Sequence, residues 1–242
     1  MKPADIPKRI RRQKVVENIF SLIEEPPYIK MLETGKRYQE LMNRYRCAIM
    51  EVETKLNVLN LEFSLHYDRN PFESIESRLK TPRSIIEKLK KKGIPFNEET
   101  LERSIEENLY DVAGLRVICA FQEDIYHLAD LLVQQDDITL IRTKDYIKNP
   151  KPNGYRSLHL ILEIPIFLKE GKTMMKVEVQ FRTIAMDFWA SVDHRLRYKK
   201  DLPNEAEILE KLRNCATVIA GLDEEMQQIR TMIEQSEEDG AV

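Results

Sequence analysis

Glycine is scarce in this 242-residue chain, with seven in all. None forms the GxxxxGK[ST] phosphate loop or the GxGxxG turn that opens a dinucleotide-binding helix. Protein-kinase signatures are missing too, so any phosphate chemistry must use another arrangement. The three cysteines, Cys47, Cys119 and Cys215, are isolated and odd in number, which suits reduced thiols rather than a disulfide framework. The four histidines, His66, His127, His159 and His194, are scattered, and no histidine or cysteine cluster has zinc spacing. No run of ~18 apolar residues occurs, and the first residues lack the apolar core of a secretory signal. The expected setting is therefore the cytoplasm, with no membrane partner. A net charge of −3 exerts no general pull on nucleic acid, so an anion site has to be local.

With 42% hydrophobic and 33% charged residues, the chain can build one sizeable core with helical additions. Residues 8–25 read as a short basic amphipathic helix stopped by Pro26 and Pro27. From Tyr38, the positions Met42, Tyr45, Ile49, Val52, Leu56, Leu59 and Phe63 alternate spacings of three and four, the seam of a long packed helix. A second seam, Ile208, Leu212, Cys215, Ile219, Leu222, Met226, Ile229 and Ile233, closes the chain before the polar tail SEEDG. The two long helices could pack on each other, inside one molecule or between subunits.

Between the seams the pattern is mixed α and β. Thr81 or Pro82 opens a helix through Lys92 that Gly93 ends, and residues 123–134 are helical. GLRVICAF (Gly114–Phe121) is a short β-branched run fit for a buried strand, and Ile138–Thr143 predicts another. Leu158, Leu160, Leu162 and Ile164 then alternate with Ser157, His159, Ile161 and Glu163. Val177, Val179 and Phe181 alternate with Glu178, Gln180 and Arg182. Glu170–Lys172 is the hairpin turn between the two runs, and a helix from Ile184 to about Lys199 follows. The expectation is an α+β fold with a mixed sheet of about five strands and helices around it.

Period two puts His159, Glu178, Gln180 and Arg182 on one sheet face and the leucines and valines on the other. A solvated polar face gives the same alternation. The loop ahead of the first strand, NPKPNGYRSLH (Asn149–His159), adds a tight turn, a ring in Tyr155 able to stack on a base, and Lys151 and Arg156 for phosphate. From Arg78 to Lys92, seven cations face a single Glu87. Ser84 and Lys88 share a helical face there, and Arg78 and Lys80 lie just before the helix, where its amides favour phosphate. Asp111, at the mouth of the Gly114 strand, pairs naturally with Glu178 as oxygen ligands for Mg²⁺, or else caps local backbone with Arg116 as its partner.

The motifs DVAGLRV (Asp111–Val117), KPNGYRSLH (Lys151–His159) and VEVQFRTIAMDFWASVDH (Val177–His194), preceded by SRLKTPRSIIEKL (Ser77–Leu89), resemble the synthetase domain of the RelA/SpoT family. The likeness is to its single-domain members, the small alarmone synthetases. It covers roughly residues 66–200, and the helical tail after Tyr198–Lys199 is similar as well. It implies a nucleotidyltransferase-like catalytic domain over 66–200, a helical extension over 1–65 and a packing or assembly helix over 201–242. It further implies transfer of the β,γ-pyrophosphate of ATP to the ribose 3′-hydroxyl of GDP or GTP, with Mg²⁺, giving ppGpp or pppGpp and AMP.

By that resemblance Arg78 and Arg116 sandwich adenine, and Lys80, Ser84, Lys88 and Lys91 hold the ATP phosphates. Tyr155 stacks on guanine, His159, Lys144, Lys151 and Arg156 lie near phosphates, and Gln180 supports them. Asp111 binds the metal, and Glu178 is a second ligand or the base. Asp193 stands where relatives often carry Glu, so its guanine contact is shorter. The chain shows no hydrolase half, and a homotetramer built through helices is implied, with RNA not expected as a substrate. Two readings from other classes stand beside this one: a catalytically silent nucleotide- or RNA-binding regulator on the same fold, and a coiled-coil adaptor.

Overall fold

A computed structural model describes residues 26–66, 69–97, 99–197 and 204–240. In chain order these residues form α1 (Pro26–His66), β1 (Phe72–Leu79), α2 (Pro82–Lys91), α3 (Leu101–Asn108), β2 (Ala113–Cys119) and α4 (Gln122–Val133). There follow β3 (Thr139–Asp145), β4 (Leu158–Leu168), β5 (Gly171–Thr183), α5 (Ile184–Arg197) and α6 (Glu205–Gly240). The helix expected over 8–25 and the Tyr198–Lys199 pair lie outside the described residues. Pro26 and Pro27 open α1, where the first turn has no need of their missing amides.

Five strands form one mixed sheet in the order β1-β2-β5-β4-β3. The β2/β5 pair is parallel and the other three are antiparallel. The β4–β5 hairpin closes beside Gly171, whose φ of 116° only glycine adopts without strain. β1 was not foreseen: FESIESRL is a polar edge strand, and its side chains are mostly exposed or half-buried. α3 is likewise additional. At the other end, α6 runs through the polar SEEDG segment to Gly240.

The two heptad seams meet different fates. Met42, Tyr45, Ile49, Val52, Leu56 and Phe63 of α1 are all buried, in one core with the strand residues Leu115, Val117, Leu160, Val177, Val179 and Phe181. Each such side chain contributes about 1.5–3 kcal/mol of burial free energy. The first seam is thus spent inside the molecule, against its own sheet. Among the described apolar side chains of α6 only Leu212 and Ala216 are buried, in a smaller cluster with Trp189. Its Leu222, Met226, Ile229 and Ile233 are exposed.

Polar clasps hold α6 in place. The Thr183 hydroxyl donates to the buried Asp223 at 2.8 Å, and Arg230 reaches Asp124 at 3.2 Å. Asp124 also accepts from Arg69 at 2.8 Å. Among the described residues, no helix is long and apolar enough to cross a membrane.

Candidate active site

The sheet register draws a polar line across all five strands. Glu76 on β1 pairs with Arg116 on β2, Arg116 with Gln180 on β5, Gln180 with His159 on β4, and His159 with Lys144 on β3. Directly paired residues share a face, so these side chains stand in one row. The neighbouring row runs from Arg78 through Gly114 to Glu178. Above the rows lies a cleft of about 810 Å³, near the top of the range for small-molecule sites. Seven lysines and arginines line it against three carboxylates, Asp111, Glu178 and Asp193, so it is built for anions.

Within the cleft five side chains close a hydrogen-bonded ring. Glu178 meets His159 Nδ1 at 3.2 Å, and His159 Nε2 meets the Tyr155 hydroxyl at 2.8 Å. Arg182 donates to that hydroxyl at 2.8 Å and to Gln180 Oε1 at 3.0 Å, and Gln180 Nε2 returns to Glu178 at 2.7 Å. Arg182 also donates to Asp187 of α5 at 2.8 Å. Arg116 lies 3.4 Å from the same Asp187 and 3.3 Å from Glu76, so its partners are these two carboxylates. Glu178, His159 and Arg182 are all buried. A ring of this kind fixes rotamers before any ligand arrives, because each buried group would otherwise lose its partner.

Asp111 sits at the start of β2, where the Val112 carbonyl accepts from the Lys80 amide at 2.8 Å. One of its carboxylate oxygens is shared by Lys88 of α2 and by Lys80, the latter at 3.1 Å. The other, Oδ1, is buried with no hydrogen-bond partner. Burial works against the charge of Asp111, but Lys88 and Lys80 outweigh it and hold the carboxyl below its ordinary range. Glu178 behaves alike: burial opposes ionisation, and the contacts from His159 and Gln180 more than offset it. Both groups are therefore carboxylates at neutral pH. Among the described residues, no cluster of three or more acidic, histidine or cysteine side chains could hold a metal. A cation here would draw on Asp111 and Glu178, with its remaining ligands from elsewhere.

Lys151 lies between two rings, 4.5 Å from the centre of Tyr146 and 4.6 Å from that of Tyr155. Burial lowers its pKa, opposed by the nearby Glu178. Tyr146 also meets His159 edge-on at 5.2 Å. Tyr155 is thus held by its hydroxyl on one side and by Lys151 and Arg182 over its ring.

For His159, burial lowers the pKa from 6.5, only partly countered by Glu178. The unfolded chain then binds a proton more readily than the folded one, so this contribution to stability is complete above pH 6.5 and is lost as pH falls below it. A melting temperature that drops as pH falls below 6.5, with a shallower drop in His159→Gln, is the expected result of calorimetry. A drop of equal slope in the variant would show that other groups carry it.

Of the residues singled out in the sequence, Arg78, Lys88, Asp111, Arg116, Lys144, Lys151, Tyr155, His159, Glu178, Gln180 and Asp193 line the cleft. Lys80 adjoins it through Asp111. Ser84 does not line it: its amide and hydroxyl are engaged with Thr81, which caps α2. Lys91 is exposed outside the lining. Arg156 faces the other way, into a small cleft beside Asp223, whose charge it favours. Tyr146, Ser191, His194 and Arg195 belong to the lining and were not foreseen. Their signal was faint: Tyr146 follows Lys144 by two residues, and the last three share α5 with Asp193.

Residues 77–202 match the family described as a region found in RelA / SpoT proteins. The chain belongs to the RelA/SpoT family. Among relatives, the GTP pyrophosphokinase YwaC of Bacillus subtilis is 40% identical over 190 residues, covering 78% of this chain and 89% of YwaC. Small alarmone synthetase 1 from Bacillus subtilis, solved bound to its product pppGpp, has a TM-score of 0.74 and 34% identity, covering 82% of this chain and 98% of that one. The same synthetase bound to AMPCPP has a TM-score of 0.66 and 30% identity over 82% and 99%. The RelA/SpoT match begins within β1 and runs past the end of α5, a stretch that contains every residue of the cleft lining.

Proposed function

We propose that this chain is a GTP pyrophosphokinase, transferring the β,γ-pyrophosphate of ATP to the ribose 3′-hydroxyl of GDP or GTP and releasing AMP with ppGpp or pppGpp. The observation that carries this reading is the row across the sheet. Two guanidinium groups, Arg78 and Arg116, stand toward the β1 edge, and His159, Lys144 and Tyr155 stand toward β3, with Glu178 between them. Two nucleotides can then lie at opposite ends with their reacting groups over the middle. The relatives named above support it, one by its activity and one by its bound product.

Flat guanidinium planes suit adenine, so Arg78 and Arg116 take the donor base, and Lys88 and Lys80 its phosphates. Tyr155 takes guanine, with Lys151 and Lys144 for the acceptor phosphates and Asp193 at the guanine edge. The 3′-oxygen attacks the β-phosphorus as the bond from that phosphorus to the α–β bridging oxygen breaks, leaving AMP. Glu178 accepts the 3′-proton. Such a transfer asks little covalent chemistry of the protein beyond alignment and charge neutralisation. The orphaned Oδ1 of Asp111, with Glu178 nearby, fits Mg²⁺, a hard cation that takes one or two carboxylates and completes its shell with water and phosphate oxygens. When bound, Mg²⁺ would neutralise charge on the transferring phosphates.

The presence of both carboxylates counts against the silent-regulator reading. Exposed apolar positions on α6 support a homotetramer, and the three free cysteines support the cytoplasm. The test is a product assay: ATP labelled in its γ-phosphate, incubated with GDP and Mg²⁺, should yield labelled guanosine tetraphosphate and AMP by anion-exchange chromatography. Label that stays in ATP or leaves as free phosphate would overturn the reading.

A further inference from the structure

Helix α6 is joined to the turn that carries Tyr155. Arg213 Nε donates to the Pro152 carbonyl at 2.9 Å. Gly154, with a φ of +90°, comes so close to the helix that a Cβ on it would lie 2.4 Å from the Ala216 Cβ. Trp189 of α5 seals the contact: its indole NH donates to the Leu212 carbonyl at 3.1 Å, and Trp189, Leu212 and Ala216 form the small core against which Tyr155 packs. Inside the turn, Gly154 N reaches the Lys151 carbonyl at 2.8 Å and Lys151 N the Tyr155 carbonyl at 3.1 Å. Those bonds set the shape of the turn. They do not set its height above the cleft, which the contact with α6 does.

We propose that the amino-terminal half of α6 is a positioning element for the acceptor nucleotide, with Arg213 and Ala216 holding the 152–154 turn so that the Tyr155 ring meets the guanine base. This rests on the acceptor role of Tyr155 given above. Arg213 and Ala216 are not part of the main cleft lining: they line a second cleft of about 230 Å³ behind the loop. Donor residues Arg78, Arg116 and Lys88 come from β1, β2 and α2, away from this contact. Loosening the turn therefore weakens the acceptor and spares the donor. Stacking depends on ring placement, so a small displacement of the turn reaches the base directly.

The experiment compares the full chain with Arg213→Ala, Arg213→Lys and Ala216→Val. Because the Arg213 side chain is exposed, its truncation opens no cavity, and melting curves verify the fold. Arg213→Ala is expected to raise the KM for GDP about 3- to 10-fold, the size of one lost hydrogen bond, with the ATP KM and kcat within about twofold. Arg213→Lys, still a donor, should recover most of the loss, and Ala216→Val, which pushes the turn outward, should raise the same KM. Trp189, the single tryptophan, gives a readout that needs no turnover: its fluorescence titrated with GDP alone should show an apparent Kd weakened by the same factor in Arg213→Ala. A GDP KM and Kd unchanged in folded Arg213→Ala, or ATP and GDP constants rising together, would overturn the inference. A wild type that binds GDP without turnover sinks the transferase reading instead, and the Trp189 titration still decides the role of Arg213.

Discussion

Glu178→Gln should lower kcat by about 10²–10⁴-fold, the range by which a positioned general base accelerates proton transfer, while both nucleotide KM values stay within a few-fold. The structure makes the substitution more than a loss of charge. Glu178 accepts from Gln180 Nε2 at 2.7 Å and meets His159 Nδ1 at 3.2 Å. A glutamine at 178 can keep the His159 contact through its amide oxygen, but its NH₂ then faces the NH₂ of Gln180, two donors with no acceptor. Turning the Gln180 amide to relieve that pair withdraws the oxygen to which Arg182 donates at 3.0 Å. Stopped-flow single turnover measures the loss. Two roles for Glu178 separate on titration with Mg²⁺. If it served only as a metal ligand, excess Mg²⁺ would restore the rate of the variant; as the proton acceptor, it leaves the variant slow at every Mg²⁺ concentration. A Glu178→Gln enzyme as fast as wild type would remove the residue from the mechanism.

Tyr155→Ala should raise the GDP or GTP KM about 5- to 150-fold and leave the ATP KM nearly unchanged, the loss of ~1–3 kcal/mol of base stacking. Tyr155→Phe tests the ring and the hydroxyl separately. The hydroxyl accepts from Arg182 at 2.8 Å and meets His159 Nε2 at 2.8 Å, so its removal leaves two buried groups each short of a partner. The phenylalanine variant should therefore keep a near-native guanine KM but melt earlier and turn over more slowly. Steady-state kinetics with each nucleotide varied in turn gives both constants. Equal rises for ATP and GDP in Tyr155→Ala would refute the assignment of the ring to guanine.

The β4–β5 hairpin was legible because each strand keeps an unbroken apolar set at every second position, Leu158 to Ile166 and Met175 to Phe181, which period-two alternation records directly. The cap of α2 was legible for a local reason: Thr81, Pro82 and Ser84 act within one turn. β1 was not, since an edge strand with a single partner needs no apolar run, and FESIESRL offers only Phe72, Ile75 and Leu79. Arg156 shows a different limit. It sits in a loop without periodicity, and the group it faces, Asp223, is supplied by a helix far along the chain. Ser84 shows a third: spacing placed it on the Lys88 side of the helix, but a nearer partner, Thr81, engages its hydroxyl. The outer seam of α6 has the same spacing as that of α1, and periodicity records that a face is apolar without recording what covers it.

The row from Arg116 to Lys144 also bears on which molecules can be faulty. In β4 and β5 the site residues and the core residues are alternate members of the same two strands: His159 stands between the buried Leu158 and Leu160, and Glu178 between Val177 and Val179. A hairpin slipped by one residue would send His159, Glu178 and Arg182 into the oily layer and the leucines into water. Such a chain could not fold stably. Folding is thereby its own proofreading step, and a molecule that reaches the native state arrives with its catalytic row already aligned.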